Sequence, residues 1–501
     1  MTCAFVRLCT AAALAAIALG LPCRAAAAPQ PPPEPRSAVV LYEQFCAGCH
    51  GDRMEGGKAR GFVSRGDAVP PGAEALARAI RQGDDKAGMP AFGAVLRDAE
   101  VHALVALIRD VAGRAQSPRA ERAREIPTAV QHSAEHRYRI ETLARGLDVP
   151  WSIAFLPDGR LLFTERSGDL FVMRARRGRW GAPRRIAGVP PVWVEHEAGL
   201  MSVLPHPDFA HNRWLYLSLS DRPRPRGDTH PGTNLKIIRA RLQGHRLVDH
   251  QTVYAAPAHT YSDKGINFGG RLLFDGPHLF FSFGERGETG QAQRLDLPNG
   301  KLHRVFDDGR IPPGNPFAGR AGAVGSIWTF GHRNPQGLAR NPADGRLWAS
   351  EHGPRGGDEL NHIRRGRNYG WPLATHGMNY DGTPVSAHTR WPGTEAPVLH
   401  WTPSIAVSAL HFYGGDAFPG WKQQLFIGSL GEQELIRAVV DGRRIVHQEV
   451  LLKDMGRVRD IATGPDGLLY LALEMPHEPS VIVRLVPAES PGNDGRADAP
   501  W

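Results

Sequence analysis

The chain has 501 residues, a formal net charge of +9 and five cysteines. Its arginines are scattered rather than clustered, so the charge reads as a solvated basic surface, at most steering an acidic redox partner, and not as a nucleic-acid footprint. Beyond the N-terminal region no stretch is long and apolar enough to span a bilayer.

Arg7 precedes an apolar run from Ala11 to Leu21, and small residues follow at Ala25 to Ala28. The run is too short for a membrane span, so residues 1–28 are expected to be a cleaved secretory signal, which places the mature chain in the periplasm. Leu21-Pro22 before Cys23 is a poor lipid-attachment context, and no anchor is expected. Cys3, Cys9 and Cys23 leave with the signal, and Pro29 to Pro35 forms a stiff, exposed spacer.

The two remaining cysteines stand in Cys46-Ala47-Gly48-Cys49-His50. Two thiols bracketing two residues, with an imidazole at once behind, is the spacing of covalent c-type haem attachment. In this reading Cys46 and Cys49 form thioethers to the porphyrin and His50 ligates the iron. Met89, in Ala87-Gly88-Met89-Pro90, supplies the sixth ligand, and His/Met ligation raises the iron potential. A thioredoxin-type CxxC or a zinc half-site would fit the same cysteines, but no βαβ pattern and no second CxxC accompany them. With both thiols engaged, no disulfide is expected in the mature chain. Helical patterns run over Val39 to His50, Glu74 to Gln82 and Asp98 to Val111. Residues 37–112 resemble a small class I cytochrome c, an all-α module carrying haem c.

Residues 113–135, rich in Arg, Ala and Glu, read as an interdomain linker. From residue 136 to 487 the texture is short strands and tight turns. A turn with Pro, Asp or Gly followed by alternating apolar residues recurs from Pro157, His206, Phe274, Pro342, Pro419 and Pro465. Six units at roughly 60 residues each predict an all-β six-bladed β-propeller, one four-stranded blade per unit. Residues 488–501 read as a disordered tail.

Gly331 to Ala339 (GHRNPQGLA), Ser350 to Asn361 (SEHGPRGGDELN) and Asn368 to Tyr380 (NYGWPLATHGMNY) resemble soluble aldose sugar dehydrogenases that use pyrroloquinoline quinone (PQQ). So do Gly199 to Phe209, Phe268 to Gly276 and Gly456 to Gly467, in the same order. PQQ is a tricarboxylate ortho-quinone, and arginine forks suit its carboxylates. The resemblance implies that Arg457 and Arg459 bind the cofactor, that Arg333 and Asn334 flank the reactive carbonyl, and that the carbonyls of Gly353 and Pro354 hold Ca²⁺.

Three positions depart from that family's pattern. Asn267 occupies the place of the histidine that serves as general base, and an amide cannot take a proton near neutral pH. Glu197 replaces a glutamine and Gly431 a cofactor-binding lysine, while Glu285 keeps the family's acidic residue. The coincidence of Asn267 and Glu197 nominates Glu197, or a residue between His259 and Lys264, as the substitute base. The expected function is a periplasmic quinohaemoprotein that oxidises an aldose or related alcohol and hands electrons through its haem to a respiratory acceptor. The rivals are a non-catalytic, ligand- or partner-binding propeller tethered to a cytochrome, and a calcium-dependent hydrolase on a propeller.

Overall fold

Alternating apolar residues and turns build six antiparallel blade sheets, five of four strands and one of five, in the computed structural model, which describes residues 38–50, 72–84, 89–116, 125–223, 232–379, 385–476 and 478–488, with isolated positions between 54 and 69. The expected signal peptide, the proline-rich spacer and all of the tail but its first residue lie outside the described residues. The innermost strands of blades one to six are Pro150–Phe155, Leu200–Pro205, Gly269–Asp275, Pro335–Arg340, Val407–Phe412 and Arg457–Thr463. Each contacts the next, and the sixth returns to the first, so the sheets close into a ring. The six sequence recurrences fall on the turn between the first and second strand of each blade.

Blade six is completed from both ends of the propeller. Arg137–Leu147 pairs antiparallel with Ser480–Pro487, register Tyr138↔Pro487 to Leu147↔Ser480, and leaves neither as an open edge. Gln131–His132 adds a short fifth strand, so the final residues of the expected linker belong to the sheet. The Tyr138 hydroxyl donates to the Leu451 carbonyl at 2.7 Å, tying this closure to blade five. Apolar faces of neighbouring blades interdigitate, for example around Phe163, Trp421 and Tyr470 between blades five, six and one.

Ahead of the propeller lie helices α1 (Ala38–Phe45), α2 (Ala47–His50), α3 (Ala73–Gln82) and α4 (Asp98–Gln116). α1 and α3 both pack on α4, burying Leu41, Leu76, Ile80, Val101 and Leu104. α4 runs to Gln116, past the expected boundary at residue 112, although its apolar stripe ends at Val111 and Ala112.

Among the described residues no helix is long and apolar enough to cross a membrane. Blade three buries His303 completely, with Nε2 2.9 Å from the Pro298 carbonyl and Nδ1 3.0 Å from the Ser326 hydroxyl. Burial, opposed by the Pro298 hydrogen bond, drives the imidazole down to about 3. A depressed folded value gives stability that is present above the unfolded value near 6.5 and lost as pH falls towards 3. Between pH 7.5 and 4.5 this residue alone should remove about 2–3 kcal/mol. Urea midpoints measured at the two pH values check this, and His303→Gln should flatten the difference.

Candidate functional site

The innermost strands begin, and the second strands end, at the same mouth of the central axis. There they enclose a depression with about 450 Å³ of empty space, part of it open to solvent. Trp151, Met201, Gly269, Gln336, Arg457 and Arg459 come from innermost strands, Arg166, His352 and Leu430 from just beyond second strands, and Glu197 and Phe268 from the approaches.

One wall is cationic. Arg457 and Arg459 both pair with Glu474, with Arg457 Nε 3.3 Å from Glu474 Oε2. Burial would raise the Glu474 carboxyl, but Arg459, Arg457 and Arg166 together hold it below its ordinary value. Burial lowers the Arg459 guanidinium, partly against the pull of Glu474. Three guanidinium groups around one carboxylate leave an excess of positive charge suited to an anion.

Behind the lining residue His352, Glu351 accepts through Oε2 from the Arg333 amide at 2.8 Å, and its Oε1 lies 2.8 Å from His332 Nδ1. Arg333 Nη1 donates to the Gly353 carbonyl at 2.8 Å, and its guanidinium lies 5.5 Å from the centre of the Trp371 ring. Asn334 Oδ1 accepts from the Gly269 amide and from Gln336 Nε2, both at 3.0 Å. Asn334 Nδ2 and His352 Nε2 are buried without a hydrogen-bond partner. Such groups are costly to leave unpaired, and a polar, carbonyl-rich cofactor would supply partners. Burial, reinforced by Arg333, lowers His352 to about 3, so its imidazole stays neutral.

Asn267 is buried in a left-handed conformation (φ 53°) between two carboxylates. Its amide donates to Glu197 Oε2 at 2.8 Å, and its Nδ2 to Glu285 Oε1. Glu197 is exposed and lines the depression, whereas Glu285 is buried with Oε2 unpartnered. Burial raises the Glu285 carboxyl despite Arg333 and the Asn267 bond. In the stretch between His259 and Lys264, Lys264 is committed to Glu288 at 2.6 Å and the Gly287 carbonyl, and Tyr261 to Asp221. Gly431, beside Leu430, brings no side chain to the site.

In the helical module Cys46, Ala47 and Met89 border one apolar cluster. The His50 ring stacks on Phe62 at 4.7 Å, and Phe62 packs on the same cluster. Met89 is fixed by a reciprocal backbone bridge to Asp84, both bonds 2.9 Å. Gly83 permits it, since a Cβ there would lie 2.5 Å from the Met89 carbonyl oxygen. Burial beside Cys49 pushes the Cys46 thiol up to about 12. Two thiols, an imidazole and a thioether around apolar side chains are the donor set haem c needs.

For calcium the residues offer less. Among the described residues no group of three or more His, Cys, Asp or Glu could hold a metal. Gly353 and Pro354 contribute only backbone carbonyls, and Arg333 already donates to that of Gly353. A Ca²⁺ ion there would draw most of its six to eight oxygens from water and a bound ligand.

Of the sequence-nominated residues, Glu197, Arg457 and Arg459 line the depression, Asn267 and Asn334 are bonded to its lining at Glu197 and Gly269, and Arg333 is bonded to Gly353, which follows His352 and precedes Pro354. Arg166, His352 and Glu474 were missed. The signal was available in part: the second strands of blades one, four and six end on Glu165, Glu351 and Glu474, and the residues next after the first two, Arg166 and His352, line the depression.

Residues 147–482 match the family model described as glucose / sorbosone dehydrogenase, and residues 33–108 that described as cytochrome C oxidase, cbb3-type, subunit III. Aldose sugar dehydrogenase YliI of Escherichia coli (strain K12) is 44% identical over 337 residues, 66% of this chain and 89% of its own length. The soluble aldose sugar dehydrogenase of Escherichia coli in its apo-form superposes with a TM-score of 0.65 at 40% identity, covering 70% of this chain and 100% of that one. The PQQ-bound form of aldose sugar dehydrogenase from Streptomyces coelicolor gives a TM-score of 0.56 at 28% identity, over 72% and 99% of the two chains. A six-bladed ring bearing the arginine-lined depression, matched from residue 147 to 482, makes the chain a member of the glucose / sorbosone dehydrogenase family, with a cytochrome c module joined ahead of the propeller.

Proposed function

We propose that the protein is a periplasmic quinohaem dehydrogenase that oxidises an aldose or related alcohol and passes the electrons to its own haem c. The observation that carries this reading is the depression, where three arginines share one carboxylate and the buried Asn334 Nδ2 and His352 Nε2 lack hydrogen-bond partners. When bound, PQQ supplies a two-electron hydride acceptor and haem c a one-electron carrier. Arg457, Arg459 and Arg166 hold the cofactor carboxylates. Arg333 and Asn334 Nδ2 would face its reactive carbonyl, where a cation and a donor stabilise negative charge. The carbonyls of Gly353 and Pro354 offer hard oxygens to Ca²⁺. Glu197 Oε1 receives the substrate hydroxyl proton, because the Asn267 amide already holds Oε2 and an amide side chain has no base to offer.

Each turnover removes two electrons and two protons from the substrate. The protons would leave to solvent, one through Glu197, and haem c held by Cys46, Cys49, His50 and Met89 would supply a one-electron route to an external respiratory acceptor. Fusion keeps donor and carrier at high mutual concentration. The signal-like residues 1–28 and the haem-attachment motif support the periplasm.

One observation favours a second reading, a ligand-binding propeller without turnover: Asn267 stands where the family resemblance places the base. Reconstitution of the haem-loaded protein with PQQ and Ca²⁺, followed by a panel of sugars and alcohols, separates the two by haem absorbance. Sugar-dependent reduction of the haem is the expected result. Cofactor uptake without reduction selects the binding reading, and no uptake removes the quinone altogether.

A further inference from the structure

Met378 is a propeller residue, in the long connection between the third and fourth strands of blade four, yet it is 1% exposed and belongs to the apolar cluster of the helical module. That cluster also contains Cys46, Ala47, Met54 and, at its margin, Met89. Among the described residues no other propeller side chain enters it.

The backbone carrying Met378 is bound directly to the site. Its amide and carbonyl form a bridge with Arg355, at 3.3 and 3.0 Å. Beside the bridge the two loops touch without room for side chains: a Cβ on Gly377 would lie 2.2 Å from the Gly356 carbonyl oxygen. Two residues before Arg355, Gly353 accepts the guanidinium of Arg333 at 2.8 Å. The path from the depression to the helical module therefore consists of one hydrogen bond, a short stretch of chain and one backbone bridge.

We propose that Met378 is a docking residue that seats the haem module on the site-bearing face of the propeller. A thioether suits the task, since an unbranched, polarisable side chain fills an irregular gap and excludes water without demanding a polar partner. The docking itself stands on the packing alone; its use in transferring electrons rests on the quinohaem reading. Met378 touches neither substrate nor reacting atoms in that reading and acts through position.

The test uses the full-length haem-loaded protein and the variants Met378→Asp and Met378→Leu. Amide hydrogen exchange at Arg355 and Met378 should be at least about tenfold faster in Met378→Asp and nearly unchanged in Met378→Leu. After reconstitution with PQQ and Ca²⁺, glucose-driven haem reduction should slow by about tenfold or more in Met378→Asp. Turnover and KM measured with a soluble dye as acceptor should stay within about twofold in both variants. Should Met378→Asp not fold, Met378→Ala gives the same comparison. Unchanged exchange and unchanged haem reduction in the folded variant would overturn docking. If the wild type reduces neither haem nor dye with any sugar, the functional reading falls, and the exchange comparison still decides the docking.

Discussion

In the reconstituted protein, Glu197→Gln lowers sugar-driven haem reduction by about 10²–10⁴-fold while PQQ uptake is retained. The expectation follows from the surroundings of Asn267. Its side chain is an amide bound to Glu285, so neither proton acceptance nor release is available at that position. Glu197 is the exposed carboxylate at the rim, and the Asn267 backbone fixes one of its oxygens at 2.8 Å. Gln in its place keeps size and one acceptor but loses basicity. Stopped-flow haem reduction measures the loss, and binding of PQQ followed by fluorescence shows that the pocket survives. Adding Asn267→His to Glu197→Gln places an imidazole against Glu285 and should restore much of the rate. Unchanged reduction in Glu197→Gln would move the role to Glu285, whose Oε2 is buried without a partner.

Arg271→Met should destabilise the propeller by about 3–5 kcal/mol, the cost of leaving a buried charge uncompensated. Arg271 pairs with Asp460 at 2.7 Å, both side chains nearly inaccessible. Its Nε donates to the Gln336 carbonyl at 2.9 Å, and it lies over Trp151 with 4.5 Å to the ring centre. Asp460 Oδ2 in turn accepts from the Ile153 amide at 2.8 Å. One ion pair thus joins the innermost strands of blades one, three, four and six directly beneath the depression. Urea unfolding followed by tryptophan fluorescence reads the loss. The double variant Arg271→Met with Asp460→Asn should recover part of it, because the carboxylate charge has gone.

The ring was legible because each blade repeats the same turn and apolar alternation, from Pro157 to Pro465. The cytochrome c module was legible for a different reason: Cys46, Cys49 and His50 are neighbours in sequence, so the motif is read from spacing alone. Arg333, Arg457 and Arg459 could be nominated only through family resemblance, since separation in the chain says nothing of convergence on an axis. Arg166 and His352 escaped because each sits one residue past a strand that reads as plain core. The docking of Met378 had no sequence signal at all. A methionine in a polar loop acquires meaning only when a helical module some 300 residues earlier in the chain packs over it.

The clasp in blade six has a consequence for biogenesis. Arg137–Leu147 is synthesised before blades one to five, and its partner Ser480–Pro487 only after them. The circle can shut only once the chain has been made through Pro487, and until then the early strand offers its unpaired amides to any passing strand. A fragment ending before Ser480 would retain five complete blades with a permanently sticky seam, prone to self-association rather than to slow loss of activity.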